Sequence, residues 1–363
     1  MSTLERLVEL SKEFVHKQEG LAYPGDPHYL EGFAFVDRQI DYEFTSHDLV
    51  SLLSRLDKSA NAGVYTGILL DLLTQRNRKR GIRTIVRVNG DGLEFPFLFQ
   101  GARNFDEVYI SGIRGEGICE YVGSYGGHGN TIVIKYVQGN DIGKGIAEEG
   151  SVGLVALHDI CGNRAGEDIA QKGSCEVVVI DNVKSSEVAH SIAADGNSGL
   201  IILNNIEGQW VGGSIAKNGK VRMLVYNNIK GDLIAQGIMY AGGRAGLVLM
   251  NNLDGKIAFE ACDGSHENDY KDVGKIGWLI TNKLSGTDHF KTIDDYDINW
   301  ESVLKKSLND PAAITAAFRQ YGIDEILGLC SRFNGARWHD IRRYTQRMMQ
   351  IYCNSVANVA LVE

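Results

Sequence analysis

Residues 208–228, with the sequence GQWVGGSIAKNGKVRMLVYNN, form one unit of the repeat that decides the fold of this chain. A glycine-rich turn region leads into a short aliphatic run, which ends in two asparagines. The aliphatic residue after this polar pair recurs eight times, at Ile113, Val137, Ile160, Val183, Ile206, Ile229, Leu253 and Leu284. The steps between them are 24, 23, 23, 23, 23, 24 and 31 residues. So regular a period indicates a solenoid, in which each unit buries its apolar face only by stacking on its neighbours.

Four columns of residues advance by 23 from unit to unit. Two are largely aliphatic, one running from Ile142 to Ile234 and the other from Ile146 to Ile238, and we expect both to point inward. The column from Gly143 to Ala235 holds small residues, as expected where backbones crowd. The column from Gly150 to Gly242 is all glycine, which predicts a turn with φ > 0. Together they predict a right-handed parallel β-helix of about eight coils, the handedness following from the crossover rule.

The fold class predicted is mainly β, in three parts. Residues 1–107 form an N-terminal α/β capping region, 108–286 the parallel β-helix and 287–363 a C-terminal helical region. The N-terminal part should contain helices, one of them opened by a cap at Thr45, and strands at 33–44, 84–88 and 95–99. Several solenoid strands are apolar at consecutive positions, so both faces of one sheet should be buried. The C-terminal helices would cover the outer face, or a homo-oligomeric contact would.

Composition excludes several classes of protein. The net charge of −9 argues against a protein that coats nucleic acid over its whole surface. The six cysteines include no Cys-x-x-Cys pair, so zinc-ribbon and iron–sulfur signatures are absent and a reducing cytoplasm is favoured. No apolar run reaches the length of a membrane span, and the N-terminus lacks a signal-peptide pattern. We therefore expect a cytoplasmic protein with no membrane association and no cofactor.

Two glycine-containing stretches carry a family resemblance. Residues 142–155, IGKGIAEEGSVGLV, are echoed by 211–221, VGGSIAKNGKV. Over residues 108–286 this pattern resembles the Gly-x-Gly-x-Gly β-helix domain found at the C-terminus of glutamate synthase large subunits and in one of the subunits of formylmethanofuran dehydrogenase. The resemblance implies a structural and subunit-contact role with no catalytic residues. Nothing elsewhere in the chain resembles the synthase's amidotransferase or flavin regions, so glutamate synthase activity is not implied.

The first functional hypothesis is a non-catalytic scaffold or subunit-assembly protein. It would dock a protein partner, or a further copy of itself, through the apolar outer sheet and two basic segments, 76–87 and 332–347. The alternative hypothesis is an RNA- or ribosome-binding factor that uses the same segments. The basic residues concerned are Arg76, Arg78, Lys79, Arg80, Arg83, Arg87, Arg337, Arg342, Arg343 and Arg347.

A third hypothesis is an enzyme, although the chain is better interpreted as non-catalytic. If the coils stack in register, Lys135, His158 and Asp181 share one column and Asp159 lies beside them, close enough for a base and its orienting carboxylate. The competing interpretation is a polar stack that continues the asparagine ladder predicted at Asn204, Asn227 and later coils. The insertion at 259–275 brings Asp263, His266, Glu267 and Asp269 together, but their spacing fits no EF-hand and we predict no metal site.

Overall fold

A computed structural model describes residues 1–17, 27–239, 241–257, 275–285 and 304–361 of the chain. Four helices come first: α1 (Thr3–Lys17), α2 (Pro27–Gln39), α3 (Ser46–Leu52) and α4 (Ala60–Lys79). The predicted cap at Thr45 is confirmed, because its side chain accepts from the Asp48 backbone N–H and the Asp48 carboxylate accepts from the Thr45 N–H. Tyr65 of α4 donates a hydrogen bond to the Leu7 carbonyl at 2.9 Å, which ties α4 to α1.

The strands form one long parallel sheet that winds as a solenoid. They are β1 (Ile85–Glu94), β2 (Glu107–Arg114), β3 (His128–Gln138), β4 (Ser151–Gly162), β5 (Ser174–Ser185), β6 (Glu187–Val188), β7 (Asn197–Val211), β8 (Lys220–Ile234), β9 (Arg244–Ile257), β10 (Lys275–Ser285) and β11 (Leu304–Asn309). Eight stacked strands, β2–β5 and β7–β10, give about seven turns, and β1 and β11 extend the sheet at its two ends.

The predicted 23-residue register is confirmed. Leu203 pairs with Tyr226, and Asn204 pairs with Asn227, as the sequence columns require. The same relation joins His158 to Asp181 two coils earlier in the chain. Residues that share a sequence column are therefore neighbours along the solenoid, at about 4.8 Å per strand.

The two small-residue columns have the opposite roles from those predicted. The column from Gly143 to Ala235 takes the left-handed conformation, with φ +68 at its first residue and +60 at its last. In the all-glycine column only the last member, Gly242, has a positive φ. A Cβ on Gly173 would instead lie 2.1 Å from the carbonyl oxygen of Ala147 in the preceding coil. Close approach of backbones, not a left-handed turn, requires glycine there.

Three helices follow the solenoid: α5 (Pro311–Gln320), α6 (Ile323–Ser331) and α7 (Trp338–Ile351), and a short π-helix (Tyr352–Val356) continues α7. Asp310 caps α5 and Pro311 occupies its first turn. The helices pack on outward-facing strand residues such as Val179, Ile202 and Val225, which are buried. The expectation that both faces of the sheet are buried, with the C-terminal helices as the cover, is confirmed over the described residues.

Two predicted strand segments of the N-terminal region are not strands. Residues 33–39 belong to α2, whose buried face is formed by Tyr29, Gly32 and Val36 at helical spacing. The alternation of aromatic residues after residue 33 had favoured a strand over that helical spacing. Residues 95–99 form a turn, in which Phe97 and Phe99 have φ +55 and +60.

Candidate functional site

A column of left-handed residues lies within the solenoid strands β3–β5 and β7–β9, where it bends each of them. It passes through Tyr136 (φ +54), Asp159 (φ +53) and Asn182 (φ +54), and then through the second asparagine of each pair, Asn205, Asn228 and Asn252. Asparagine tolerates this conformation, whereas tyrosine rarely adopts it. This turn places the preceding column, which contains Lys135, His158 and Asp181, at the edge of the outer sheet face.

The predicted asparagine ladder is present along this edge. Asn227 donates to the side-chain oxygen of Asn204 at 2.6 Å, and Asn251 donates to that of Asn227 at 2.7 Å. Asn204 in turn donates to Asp181 Oδ1 at 2.7 Å. The ladder therefore runs without a break from the asparagines into the acid of the candidate catalytic stack.

The stack itself is assembled as the register predicts, but it is closed to solvent. His158 Nδ1 lies 3.0 Å from Asp181 Oδ2, and the Lys135, His158 and Asp181 residues are only 4%, 3% and 3% exposed. His158 Nε2 faces the Asn334 side-chain oxygen at 3.1 Å and Asp159 Oδ2 at 3.2 Å. Both ring nitrogens thus face oxygen acceptors.

Burial and charge oppose each other at His158. Burial alone would lower the pKa of this imidazole. The hydrogen bond with Asp181, the negative charges of Asp159 and Asp181 and the hydrogen bond with Asn334 act in the opposite direction. Together they outweigh burial and raise the pKa above 6.5. Burial lowers the pKa of Lys135, and the nearby charge of Asp159 offsets only part of that effect.

The loop between α6 and α7, residues 332–337, closes this stack. Lys135 Nζ donates to the Phe333 carbonyl at 2.9 Å and lies 3.5 Å from the Ala336 carbonyl oxygen. The Phe333 ring packs edge-on against His158, with 5.6 Å between ring centroids. Each of the stack's polar groups is bonded to the solenoid or to this loop, so the geometry is that of a structural lock rather than of a nucleophile or base that faces a substrate.

Most of the cations in the first basic segment, residues 76–87, form ion pairs or hydrogen bonds with other residues of the N-terminal region. Arg76 contacts Asp37 and the Ile40 carbonyl, Arg78 contacts Asp106 and the Phe105 carbonyl, and Arg80 contacts Glu43. Of the cations in this segment, only Lys79 and Arg87 have no ion pair within the described part of the chain.

The two basic segments meet at one buried carboxylate. Arg83 Nε lies 2.9 Å from Glu107 Oε1, and Arg342 Nε lies 2.8 Å from Glu107 Oε2, while Tyr109 donates to the same carboxylate at 2.9 Å. A cavity of about 530 Å³ adjoins this cluster, between α7 and the first residues of β3–β5. Glu107 was not predicted as a site residue, since only the fold brings the two arginines to it.

A second cleft, of about 430 Å³, lies on the outer surface between α6 and α7. It is lined by Leu329, Arg332, Arg343, Tyr344, Gln346, Arg347 and Gln350, and we refer to it as the arginine cleft. Two of its arginines were predicted as binding residues. Arg337, also predicted, is exposed at the N-cap of α7 and does not line the cleft.

Arg343 and Arg347 are each held by a carboxylate that does not line the arginine cleft. Arg347 makes a two-pronged contact with Glu325, at 2.6 and 3.0 Å, and Arg343 Nη2 lies 2.9 Å from Asp340 Oδ1. Arg332 has no ion pair among the described residues, and its side chain is exposed. The lining of the arginine cleft therefore contains three guanidinium groups and no carboxylate, and Asp340 and Glu325 pair with two of these groups from outside the lining.

We compared the chain with family models, curated proteins and solved structures. None of them matches it. The resemblance to the Gly-x-Gly-x-Gly β-helix domain therefore stays a prediction, and the function must be argued from the geometry alone.

The remaining candidates concern metals and membranes. Asp263, His266, Glu267 and Asp269 lie outside the described residues. Within the described ranges, no group of three or more His, Cys, Asp or Glu side chains is placed to hold a metal ion. None of the helices in the same ranges has both the length and the apolar composition of a membrane span.

Proposed function

We propose that the protein is a non-catalytic β-helical scaffold that docks an acidic protein partner on the outer surface of α6 and α7. The observation that carries the proposal is the arginine cleft, in which Arg332, Arg343 and Arg347 face solvent and no carboxylate lines the wall. A positive patch on a chain of net charge −9 favours an oriented encounter with a negative partner.

Two further observations support this proposal. The first favours docking on the helices over docking on the sheet, and the second favours a scaffold over an enzyme. The apolar outer sheet is covered by α5–α7, so this face is occupied by the chain itself. The Lys135 and His158 side chains bond to the loop of that cover, and the buried Asp181 carboxylate bonds to His158 within the solenoid. A cytoplasmic location accords with this role, since the five described cysteines are free thiols.

RNA is a less well supported occupant of the same surface. Single-stranded RNA is usually held by aromatic rings that are free to stack on bases. Tyr344, the aromatic residue of the cleft lining, is stacked on Phe333 with 6.4 Å between ring centroids. Trp338, at the start of α7, packs on Tyr109 with 5.8 Å between centroids.

The test is affinity capture from native extract, with and without ribonuclease, by the wild-type chain and by the double variant Arg332→Glu/Arg343→Glu. We expect a protein partner that survives ribonuclease, elutes with added salt and is lost in the double variant. Arg319→Glu, at an exposed arginine in the last turn of α5, is the matched control and should retain the partner. Loss of all capture after ribonuclease would contradict the proposal. So would equal capture by the wild-type chain and the Arg332→Glu/Arg343→Glu variant.

A further inference from the structure

The arginine cleft has the chemistry of a phosphate-binding site. Three guanidinium groups, the Tyr344 phenol and the amides of Gln346 and Gln350 line it, so nearly all of its polar lining can donate hydrogen bonds. A phosphate monoester carries close to two negative charges and three terminal oxygens, and it can engage several guanidinium groups at once. A lone carboxylate is fully matched by one arginine and would leave the others unused.

The cleft is also organised in advance. The two-pronged contact with Glu325 fixes the guanidinium plane of Arg347 through Nε and Nη2, and its Nη1 donors have no hydrogen-bond partner among the residues that the structure describes. Asp340 similarly engages only Nη2 of Arg343. Because these carboxylates lie outside the lining, they orient the arginines without filling the space between them. Binding there would order few additional side chains, which lowers its entropic cost.

The ring that completes the cleft is equally fixed. Tyr344 is stacked on Phe333, with an angle of 12° between the rings, and Phe333 is fully buried beside the His158 lock. Leu329 of α6 adds a buried aliphatic side chain to the cleft lining. The volume of about 430 Å³ is large enough for one phosphorylated side chain.

We infer that the arginine cleft binds a phosphorylated side chain of the protein partner, so that docking depends on the partner's phosphorylation. This inference rests on the proposed function, which supplies the premise that the partner is a protein. It adds that recognition is of a phosphate monoester rather than of acidic residues in general.

The experiment measures fluorescence anisotropy with two labelled mixtures of short peptides of degenerate sequence, one with a central phosphothreonine and one with threonine. We expect the phosphorylated mixture to bind about tenfold more tightly, and inorganic phosphate to compete with it. The double variant Arg332→Gln/Arg343→Gln should lose this preference, while Arg319→Gln retains it. Both substituted side chains are exposed, and an unchanged melting temperature would confirm that the variant folds.

Equal affinity for the two mixtures, or a preference that survives in the double variant, would overturn the inference. Tighter binding of a labelled single-stranded RNA than of the phosphorylated peptides would overturn it in favour of RNA. If an acidic partner is captured in a cleft-dependent way but no phosphate preference is found, only the inference fails. If neither is found, the proposed function fails with it.

Discussion

At the residue scale, two kinds of position shape each coil. At one the backbone takes the left-handed conformation, and at the other the backbone of the neighbouring coil leaves no room for a Cβ. Ala147, Ala170, Ala193 and Ala216 all take positive φ values of +50 to +58, although alanine gains nothing from that conformation. Alanine is accommodated at these four positions because the turn leaves room for its Cβ. The glycines three positions later in each coil face a neighbouring carbonyl oxygen and have no such space.

This distinction predicts the outcome of a glycine substitution. Gly173→Ala should lower the free energy of unfolding by about 1–3 kcal/mol, because the new methyl group would meet the Ala147 carbonyl oxygen and force two coils apart. Gly328→Ala is the control, since it lies within α6 with no atom within 4 Å of the added Cβ, and it should raise that free energy by up to about 1 kcal/mol. Urea denaturation of the two variants measures both changes. A Gly173→Ala chain as stable as the wild type would contradict the crowding argument.

At the scale of elements, the loop between α6 and α7 joins the helical cover to the solenoid. Asn334 accepts hydrogen bonds from Tyr136 and His158, and two carbonyls of the same loop face Lys135 Nζ. The partners on the solenoid side could be predicted from the sequence, because they belong to a column of the repeat. Asn334 could not be predicted, because it lies outside the repeat and no period places it.

The lock predicts a pH dependence of stability. The pKa of His158 is raised in the folded chain, so its contribution to stability is complete below the unfolded value of 6.5 and is lost as the pH rises through the folded value. We therefore expect the stability difference between wild type and His158→Gln to be large at about pH 6 and to shrink towards about pH 9. The measurement is the urea midpoint of both chains across this range.

A control for this prediction is His47→Gln, at an exposed histidine in the first turn of α3. This substitution should change stability little, because the His47 side chain is exposed. A His158→Gln difference that stays constant with pH would show that the imidazolium contributes nothing beyond its packing.

At the scale of the whole molecule, the sequence predicted the solenoid and its cover well, and the candidate site only in part. Periodicity reveals the register because a stacked coil must repeat its inward side chains, as the columns through Ile146 and Gly150 do. The arginine cleft has no such signal. Arg332, Arg343 and Arg347 come from two different elements, α7 and the loop before it, and only the packing of α7 on α6 turns them into one surface.

The cover also has a consequence for the behaviour of the molecule in solution. The outer sheet face presents buried aliphatic residues from successive coils, including Leu154, Val177, Leu200 and Met223, and α5–α7 exclude water from them. A contiguous apolar face of this kind, once uncovered, drives association. Truncation of the chain after Asn309 should therefore give a protein that binds a hydrophobic dye strongly and self-associates as its concentration rises.

Size-exclusion chromatography with light scattering, over a range of concentrations, checks this expectation against the full chain. The full chain should bind little dye, and its measured molar mass should not rise with concentration as that of the truncated chain does. A truncated chain that stays monomeric and binds no dye would mean that the sheet needs no cover. The lock at Lys135 and His158 would then serve to position the arginine cleft rather than to protect the apolar face.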